Sequence, residues 1–164
     1  IFNLIGPLSN PAFVRHQLLG VPSDDLVMPM AKVLENLGLT HVMVVHGEDG
    51  PDEITLGGST LVAELAHGTV TQYRIAPEDF GFSRQPLSAV RGGNAEENAA
   101  ILLNVLRGVP GPHLDVVLLN AGAALRVADR TGSIEEGIAL ARETIASGRA
   151  LQMLETYIVA SNAA

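Results

Sequence analysis

Cysteine is absent from this 164-residue chain, and charged side chains are scarce. Without cysteine the chain can form no disulfide, use no thiolate nucleophile and hold no zinc through sulfur. It has no Asn-x-Ser/Thr glycosylation sequence either. Charged residues make up 17% of the chain, against about 25% in a typical domain, which suggests that part of the surface lies against another structure. These features fit a cytoplasmic protein.

Long apolar runs and an excess of positive charge are also missing. The longest apolar runs, around 42–45 and 116–119, fall far short of the ~18 residues that a membrane span needs. Eighteen acidic residues outnumber ten basic ones, and the resulting charge of −8 repels a phosphate backbone. We therefore expect neither a membrane nor a nucleic acid among its partners.

The chain does have ample apolar material for a core. Apolar residues make up 47% of it and the mean hydropathy is positive, which excludes intrinsic disorder. Its length suits one domain, so we predict a single folding unit over 1–164. The sequence opens without an initiator Met or a signal-peptide pattern, and we expect it to be cut from a longer one.

The first third of the chain predicts a βαβ unit. Residues 15–21 suit a short strand, and the almost wholly apolar run 40–46 suits a strand buried on both faces of a parallel sheet. Between them we predict a helix over 24–37, capped by Ser23 and bent at Pro29.

The remainder predicts a hairpin or meander followed by helices. Glycine and alternating residues over 53–75 favour the meander, and 76–93 is irregular. Residues 114–128 combine a strand-like and a helix-like part, so periodicity leaves both open. Capping pairs mark the other helices: Asn94 with Glu97 for 95–107, and Ser133 with Glu136 for a helix reaching 147, after which 149–160 continues helical.

The loop that follows the buried strand is the most unusual stretch. Residues 46–53 hold four carboxylates and two glycines. In open α/β sheets ligands collect beyond the carboxyl ends of the strands, and the adjacent carboxylates Asp52 and Glu53 suit Mg²⁺. The alternative is a solvated acidic turn shaped by Gly50 and Pro51.

The opening segment 3–12 is a second candidate. Its Gly6-Pro7 and Asn10-Pro11 dipeptides fix tight turns and can present backbone groups to a ligand, so Gly6, Pro7 and Asn10 are candidate substrate-binding residues. The alternative is a purely structural loop.

Other local signals have simpler explanations. Gly92-Gly93-Asn94 resembles half of a phosphate cradle, but an N-capped helix explains it fully. His46 could hydrogen-bond a loop carboxylate, and a packing role is equally compatible. There is no G-x-S-x-G elbow, so a serine hydrolase has no support.

Taken in order, several blocks of the chain resemble the C-terminal part of the anthranilate phosphoribosyltransferase family. The pairing of the first block with the third is specific. The blocks are IFNLIGPLSNPA at 1–12, LLGV at 18–21, VVHGEDGPDEI at 44–54, GGNAEENA at 92–99 and LLNAGAAL at 118–125.

The resemblance implies an α/β fold with a central, largely parallel sheet flanked by helices. It implies that this fold is incomplete, because the family's N-terminal half, with a helical subdomain and a glycine-rich phosphate loop, has no counterpart here. It further implies that 114–128 is helical and that Asp52 and Glu53 bind magnesium bridging to pyrophosphate. The two carboxylates would hold metal rather than carry protons.

The reaction implied is transfer of the phosphoribosyl group of phosphoribosyl pyrophosphate (PRPP) to anthranilate, in tryptophan biosynthesis. The products are N-(5-phosphoribosyl)anthranilate and pyrophosphate. We expect this chain to supply the magnesium loop, to need the missing half as a second chain or a lost segment, and to form a homodimer when complete. The alternative is an inactive fragment or a non-catalytic interaction module of the same fold.

Overall fold

A computed structural model describes residues 6–10 and 12–163, which form a mixed four-stranded sheet with helices on both faces. The strands follow one another in space as they do in sequence. They are β1 (His16–Gly20), β2 (His41–Gly47), β3 (Thr60–Ala66) and β4 (Thr69–Ile75). The helices are α1 (Val27–Asn36), α2 (Ala95–Leu106), α3 (Pro112–Val127), α4 (Ile134–Ala146) and α5 (Arg149–Asn162).

The α/β class is confirmed, but the expectation of a largely parallel sheet needs correction. Among the described strands only β1 and β2 are parallel, and the β2–β3 and β3–β4 pairs are antiparallel. The parallel pair follows from the α1 crossover, as the predicted βαβ unit requires. The antiparallel pair β3–β4 follows from a two-residue turn, in which His67 (φ 51°) and Gly68 (φ 73°) both adopt the left-handed conformation of a hairpin turn.

The core lies on both faces of β2, as the sequence predicts. The first five residues of β2 are all buried. Met43 and Val45 pack with residues of α3 and α4 on one face, and Val42 and Val44 pack with α1 on the other. A strand covered on both faces needs apolar side chains at successive positions, which explains the lack of alternation over 42–45; His41, the first residue of the strand, is buried and polar. No helix in the described ranges combines the length and apolar character that crossing a membrane requires.

The starts of α2 and α4 follow the capping chemistry that the sequence predicts. The Asn94 side chain accepts from Glu97 N (3.0 Å) while Glu97 accepts from Asn94 N (2.8 Å), which confirms that capping box. Ser133 accepts from Glu136 N (3.2 Å), but the Glu136 carboxylate turns to Gly132 N (2.8 Å), so only half of the second box forms.

The helix predicted over 24–37 begins later than the sequence suggests. A 3-10 turn occupies Asp24–Leu26, α1 begins at Val27, and Ser23 makes no side-chain cap hydrogen bond. This start places Pro29 in the first turn of α1, where a helix leaves its N–H groups without intrahelical partners. The proline therefore sets where the helix begins.

The remaining predicted elements agree with the structure. Residues 114–128 are helical over nearly their whole length as part of α3, and α5 covers the predicted 149–160. The irregular segment 76–93 contains two 3-10 turns, Pro77–Phe80 and Leu87–Val90.

Helices α3 and α4 cross at a contact between two glycines. A Cβ on Gly137 would overlap the Gly122 carbonyl, and a Cβ on Gly122 would lie 2.9 Å from Ile138 N. The two backbones are therefore as close as glycine allows, and this contact fixes the position of α3 beneath the sheet.

We predict that Gly137→Ala destabilises the fold by about 1–3 kcal/mol in urea unfolding, because overpacking outweighs the helix-propensity gain of about 1 kcal/mol. Arg142→Ala, at an exposed position of the same helix, is the control and should change stability by less than about 0.5 kcal/mol. A stabilised Gly137→Ala variant would contradict the close crossing.

Candidate functional site

The acidic loop lies where the parallel strands β1 and β2 end. Val21 N donates to Val45 O (3.0 Å), and His46 Nδ1 donates to Val21 O (2.9 Å). The segments that leave the two strands are therefore joined side by side. His46 bonds a backbone carbonyl of the neighbouring segment and so helps to hold the two strand ends together.

Two of the four loop carboxylates are used within the loop or close to it. Glu48 Oε2 accepts from Ser59 N (3.1 Å), while Glu48 N donates to Ser59 O (2.8 Å). The Asp49 carboxylate lies against Gly57, where a Cβ would overlap it. Asp52 and Glu53 are exposed beyond the Gly47–Pro51 turn, which closes through Gly47 N to Pro51 O (2.9 Å).

The backbone of Asp52 and of Ile54, the residue that follows Glu53, is held in place. Gly20, the last residue of β1, faces the Asp52 carbonyl so closely that any Cβ would overlap it. Asn120 of α3 accepts from Ile54 N (3.0 Å) and donates to Ile54 O (2.8 Å) and to Val116 O (3.0 Å). The backbone that carries the two exposed carboxylates is therefore fixed in position.

Asn120 is the functional residue that residue-level reasoning missed. A signal was available, because Asn120 is a polar residue between Leu119 and Ala121 on a helix that is otherwise apolar there. A half-buried side-chain amide that pairs with both backbone polar groups of one residue is a specific structural device.

The electrostatics of the loop favour a cation. Partial loss of solvent around the exposed Glu53 side chain raises its pKa above the ordinary value, and the neighbouring charges of Asp52 and Asp49 raise this pKa further. Carboxylates that repel one another in this way are suited to hard divalent cations, which take oxygen ligands. Within the described residues these carboxylates do not converge into a closed set of three ligands. Two carboxylates plus substrate phosphates are the usual setting for Mg²⁺.

The other predicted site residues lie elsewhere. Gly6, Pro7 and Asn10 belong to the opening segment, where Pro7 O accepts from Gln17 Nε2 (3.2 Å) and Asn10 Oδ1 accepts from Ala12 N (2.9 Å). Pro7 and Asn10 line an open groove of about 400 Å³ beside the end of α1. Gln17 is near the start of β1, whereas Asp52 lies at its end, about 10 Å along the strand. The role of these three residues in substrate binding stays a prediction.

Comparison with known proteins identifies the family to which the chain belongs. Residues 1–151 match the family described as "Glycosyl transferase family, a/b domain", and the chain belongs to this family. Its named relatives are anthranilate phosphoribosyltransferases, which confirms the resemblance seen in the sequence blocks. The enzyme of Rhodopseudomonas palustris (strain TIE-1) is 53% identical over the whole chain, which covers 48% of that enzyme.

Solved structures agree with this assignment. The anthranilate phosphoribosyltransferase of Thermus thermophilus is 47% identical with a TM-score of 0.88, and the match covers 96% of this chain and 46% of that one. The Saccharomyces cerevisiae enzyme in complex with PRPP and Mg is 29% identical with a TM-score of 0.82, covering 90% and 43%. The chain therefore spans about half the length of the relatives it matches.

We predict that Glu53→Gln makes the metal-free chain more stable at about pH 7, by less than about 1 kcal/mol. Because the pKa of Glu53 is raised in the folded chain, its ionised form costs stability. That cost begins as the pH rises above the ordinary carboxyl range near about 4.3, and it is complete above the folded-state pKa. Urea unfolding in EDTA across this range checks the result.

The advantage of Glu53→Gln should shrink when the pH falls below the ordinary carboxyl range. Glu155→Gln, an exposed site on α5, is the control and should show no such dependence. An equal effect of the two substitutions at every pH would contradict the electrostatic account of the loop.

We predict that Asn120→Ala costs about 1–3 kcal/mol in urea unfolding, because it leaves the N–H and C=O of Ile54 without their partner. Hydrogen exchange at the Ile54 amide should speed up more than exchange in β2. Asn104→Ala, at an exposed position of α2, is the matched control. Unchanged exchange at Ile54 would show that the amide bridge does not hold the loop.

Proposed function

We propose that this chain, as one folding unit over 1–164, supplies the magnesium-binding part of an anthranilate phosphoribosyltransferase of tryptophan biosynthesis. The proposal is supported by relatives of that name at 53% identity and by a related structure in complex with PRPP and Mg. The half of the relatives that this chain does not match would complete the site, either as a further segment or as a second chain. We expect the complete enzyme to be a homodimer.

The reaction joins the anthranilate amine to C1 of the phosphoribosyl group. The nitrogen–C1 bond forms, the bond from C1 to the pyrophosphate oxygen breaks, and the amine gives up a proton. Positioning and charge stabilisation supply most of the catalysis of such a transfer, and no strong general base is required.

Asp52 and Glu53 would hold the magnesium ion through their carboxylate oxygens. When bound there, Mg²⁺ supplies positive charge to the leaving pyrophosphate. Gly20 lies against the carbonyl of Asp52 and Asn120 pairs with Ile54, so the carboxylates would meet the ion from a preset position. Both carboxylates remain ionised ligands in this scheme.

The proposal rests mainly on one observation, the electrostatic repulsion among the loop carboxylates. Three carboxylates of one loop repel one another at the carboxyl ends of two parallel strands, and this repulsion contributes to the raised pKa of Glu53. Sheets of this kind bind ligands at that edge. A cation that two of these carboxylates hold would relieve the repulsion, and it would be available to a diphosphate arriving from solvent.

The test uses a hybrid, in which the unmatched N-terminal half of the Rhodopseudomonas palustris enzyme precedes this chain. We predict Mg²⁺-dependent formation of phosphoribosylanthranilate by the hybrid and none by the 164-residue chain alone. Asp52→Asn with Glu53→Gln should lower turnover by about 100-fold or more, equivalent to about 3 kcal/mol. Circular dichroism should show that the double variant remains folded.

Glu135→Gln with Glu155→Gln removes two exposed carboxylates outside the loop and should leave turnover and its Mg²⁺ dependence unchanged. Normal turnover by the loop double variant at limiting Mg²⁺ would refute the metal assignment. A folded hybrid with no turnover at any Mg²⁺ concentration would favour a non-catalytic interaction module.

A further inference from the structure

A second cluster of charged side chains lies at the opposite edge of the sheet from the acidic loop, where β1 and β2 begin. Each strand contributes one polar side chain, and the C-terminal end of α3 contributes two more. The members of this charge cluster are His16, His41, Glu64, Tyr73, Arg126 and Asp129. None of them is used in the proposed reaction.

His41 is the centre of the charge cluster, and its side chain is only 6% exposed. Its Nδ1 lies 2.7 Å from Asp129 Oδ1, and its Nε2 lies 3.1 Å from Glu64 Oε1. Because ionised carboxylates only accept hydrogen bonds, both ring nitrogens must donate. The geometry therefore calls for a doubly protonated, positively charged imidazole.

The charges around His41 support this protonation state. Glu64 accepts from Tyr73 Oη (2.7 Å) and faces Arg126 Nη2 (3.5 Å), as an ionised carboxylate does. The hydrogen bond from His41 lowers the pKa of Asp129, and the nearby charge of Arg126 lowers it further. Two carboxylates are then balanced by Arg126 and the His41 cation, whereas a neutral His41 would leave the cluster with a net negative charge.

The charge cluster also holds the end of α3. His16 Nδ1 donates to Val127 O (2.7 Å) and lies 3.6 Å from Asp129 Oδ2. Asp129 itself has φ 53°, a left-handed conformation that is uncommon for a non-glycine residue. Asp129 thus contacts two histidines from a left-handed turn that directly follows the helix.

Three members of the charge cluster could be taken for a metal site, since His16, His41 and Asp129 have ligand-type atoms within 4.8 Å of one another. However, a separation of 2.7 Å between His41 Nδ1 and Asp129 Oδ1 is a hydrogen-bond distance, and His16 Nδ1 already donates to a carbonyl. Hydrogen bonds, rather than coordination of a metal ion, therefore account for these contacts.

We propose that His41 is a proton-operated latch, which in its doubly protonated form fastens the end of α3 to β2 and β3. As the pH rises, loss of the ring proton that faces Asp129 would release the turn at Asp129 from His41. The groups that face His41 are His16, Glu64, Arg126 and Asp129, with Tyr73 behind Glu64. Glu35 and His67 line the open cavity of about 390 Å³ beside it. This proposal does not depend on the proposed function.

The direct test is nitrogen-detected NMR of the histidine rings in the ¹⁵N-labelled chain. Both ring nitrogens of His41 should carry a proton while the contact to Asp129 is made, and loss of the Nδ1 proton should coincide with a shift of the Asp129 amide resonance. His67, which is exposed at the β3–β4 turn, is the internal reference, and its deprotonation should leave the Asp129 amide unchanged. Loss of the His41 Nδ1 proton without any change at the Asp129 amide would overturn the latch.

A second variant tests the mechanical role of the latch. Asp129→Asn, at a side chain that is 59% exposed, should fold and should lower the folding equilibrium constant by up to about fivefold at about pH 6. The difference from the parent should narrow as the pH rises, because the parent then loses its cationic donor. Asp25→Asn is the exposed control, without this pH dependence.

A pH-independent difference between Asp129→Asn and the parent would overturn the latch. Added Zn²⁺ provides a further test, because the latch predicts no stabilisation by the ion that depends on Asp129. Zn²⁺ that stabilises the parent chain but not Asp129→Asn would show that the charge cluster is a metal site instead.

Discussion

The close approach of the acidic loop to the carboxyl end of β1 is the constraint on which the candidate site depends. The Asp52 carbonyl lies against Gly20, a contact that no residue with a Cβ could make. On the following side, the amide of Asn120 pairs with both polar groups of Ile54. These two contacts hold the backbone of an exposed and mutually repelling carboxylate pair, which would otherwise spread apart in water.

Helix α3 connects the two polar edges of the sheet. Asn120, midway along the helix, holds the acidic loop, while Arg126 and Asp129 at its end join the charge cluster around His41. The Gly122–Gly137 crossing seats this helix against α4. One helix therefore positions the proposed metal ligands and is itself positioned by a glycine contact and by the hydrogen bond between His41 and Asp129.

The parts of the structure that could be predicted are those determined by residues close together in the sequence. The Asn94–Glu97 capping box, the apolar β2 run and the α1 crossover are all local patterns, and they indicated the correct elements. The direction of β3 could not be inferred in the same way, because strand pairing depends on long-range contacts. Asn120 and Gly20 escaped notice for a similar reason, since their partners lie 66 residues away and beyond a whole βαβ unit. The resemblance to the enzyme family, rather than periodicity, identified 114–128 as helix.

The central claim is that Asp52 and Glu53 form the cation site. Paramagnetic broadening of the chain's amide resonances by substoichiometric Mn²⁺, a substitute for Mg²⁺, tests it most directly. The account predicts that broadening centres on Asp52, Glu53 and the adjacent end of β1, and that it disappears in the chain carrying Asp52→Asn and Glu53→Gln. Broadening centred on Asp129, or spread evenly over the 18 acidic residues, would contradict it.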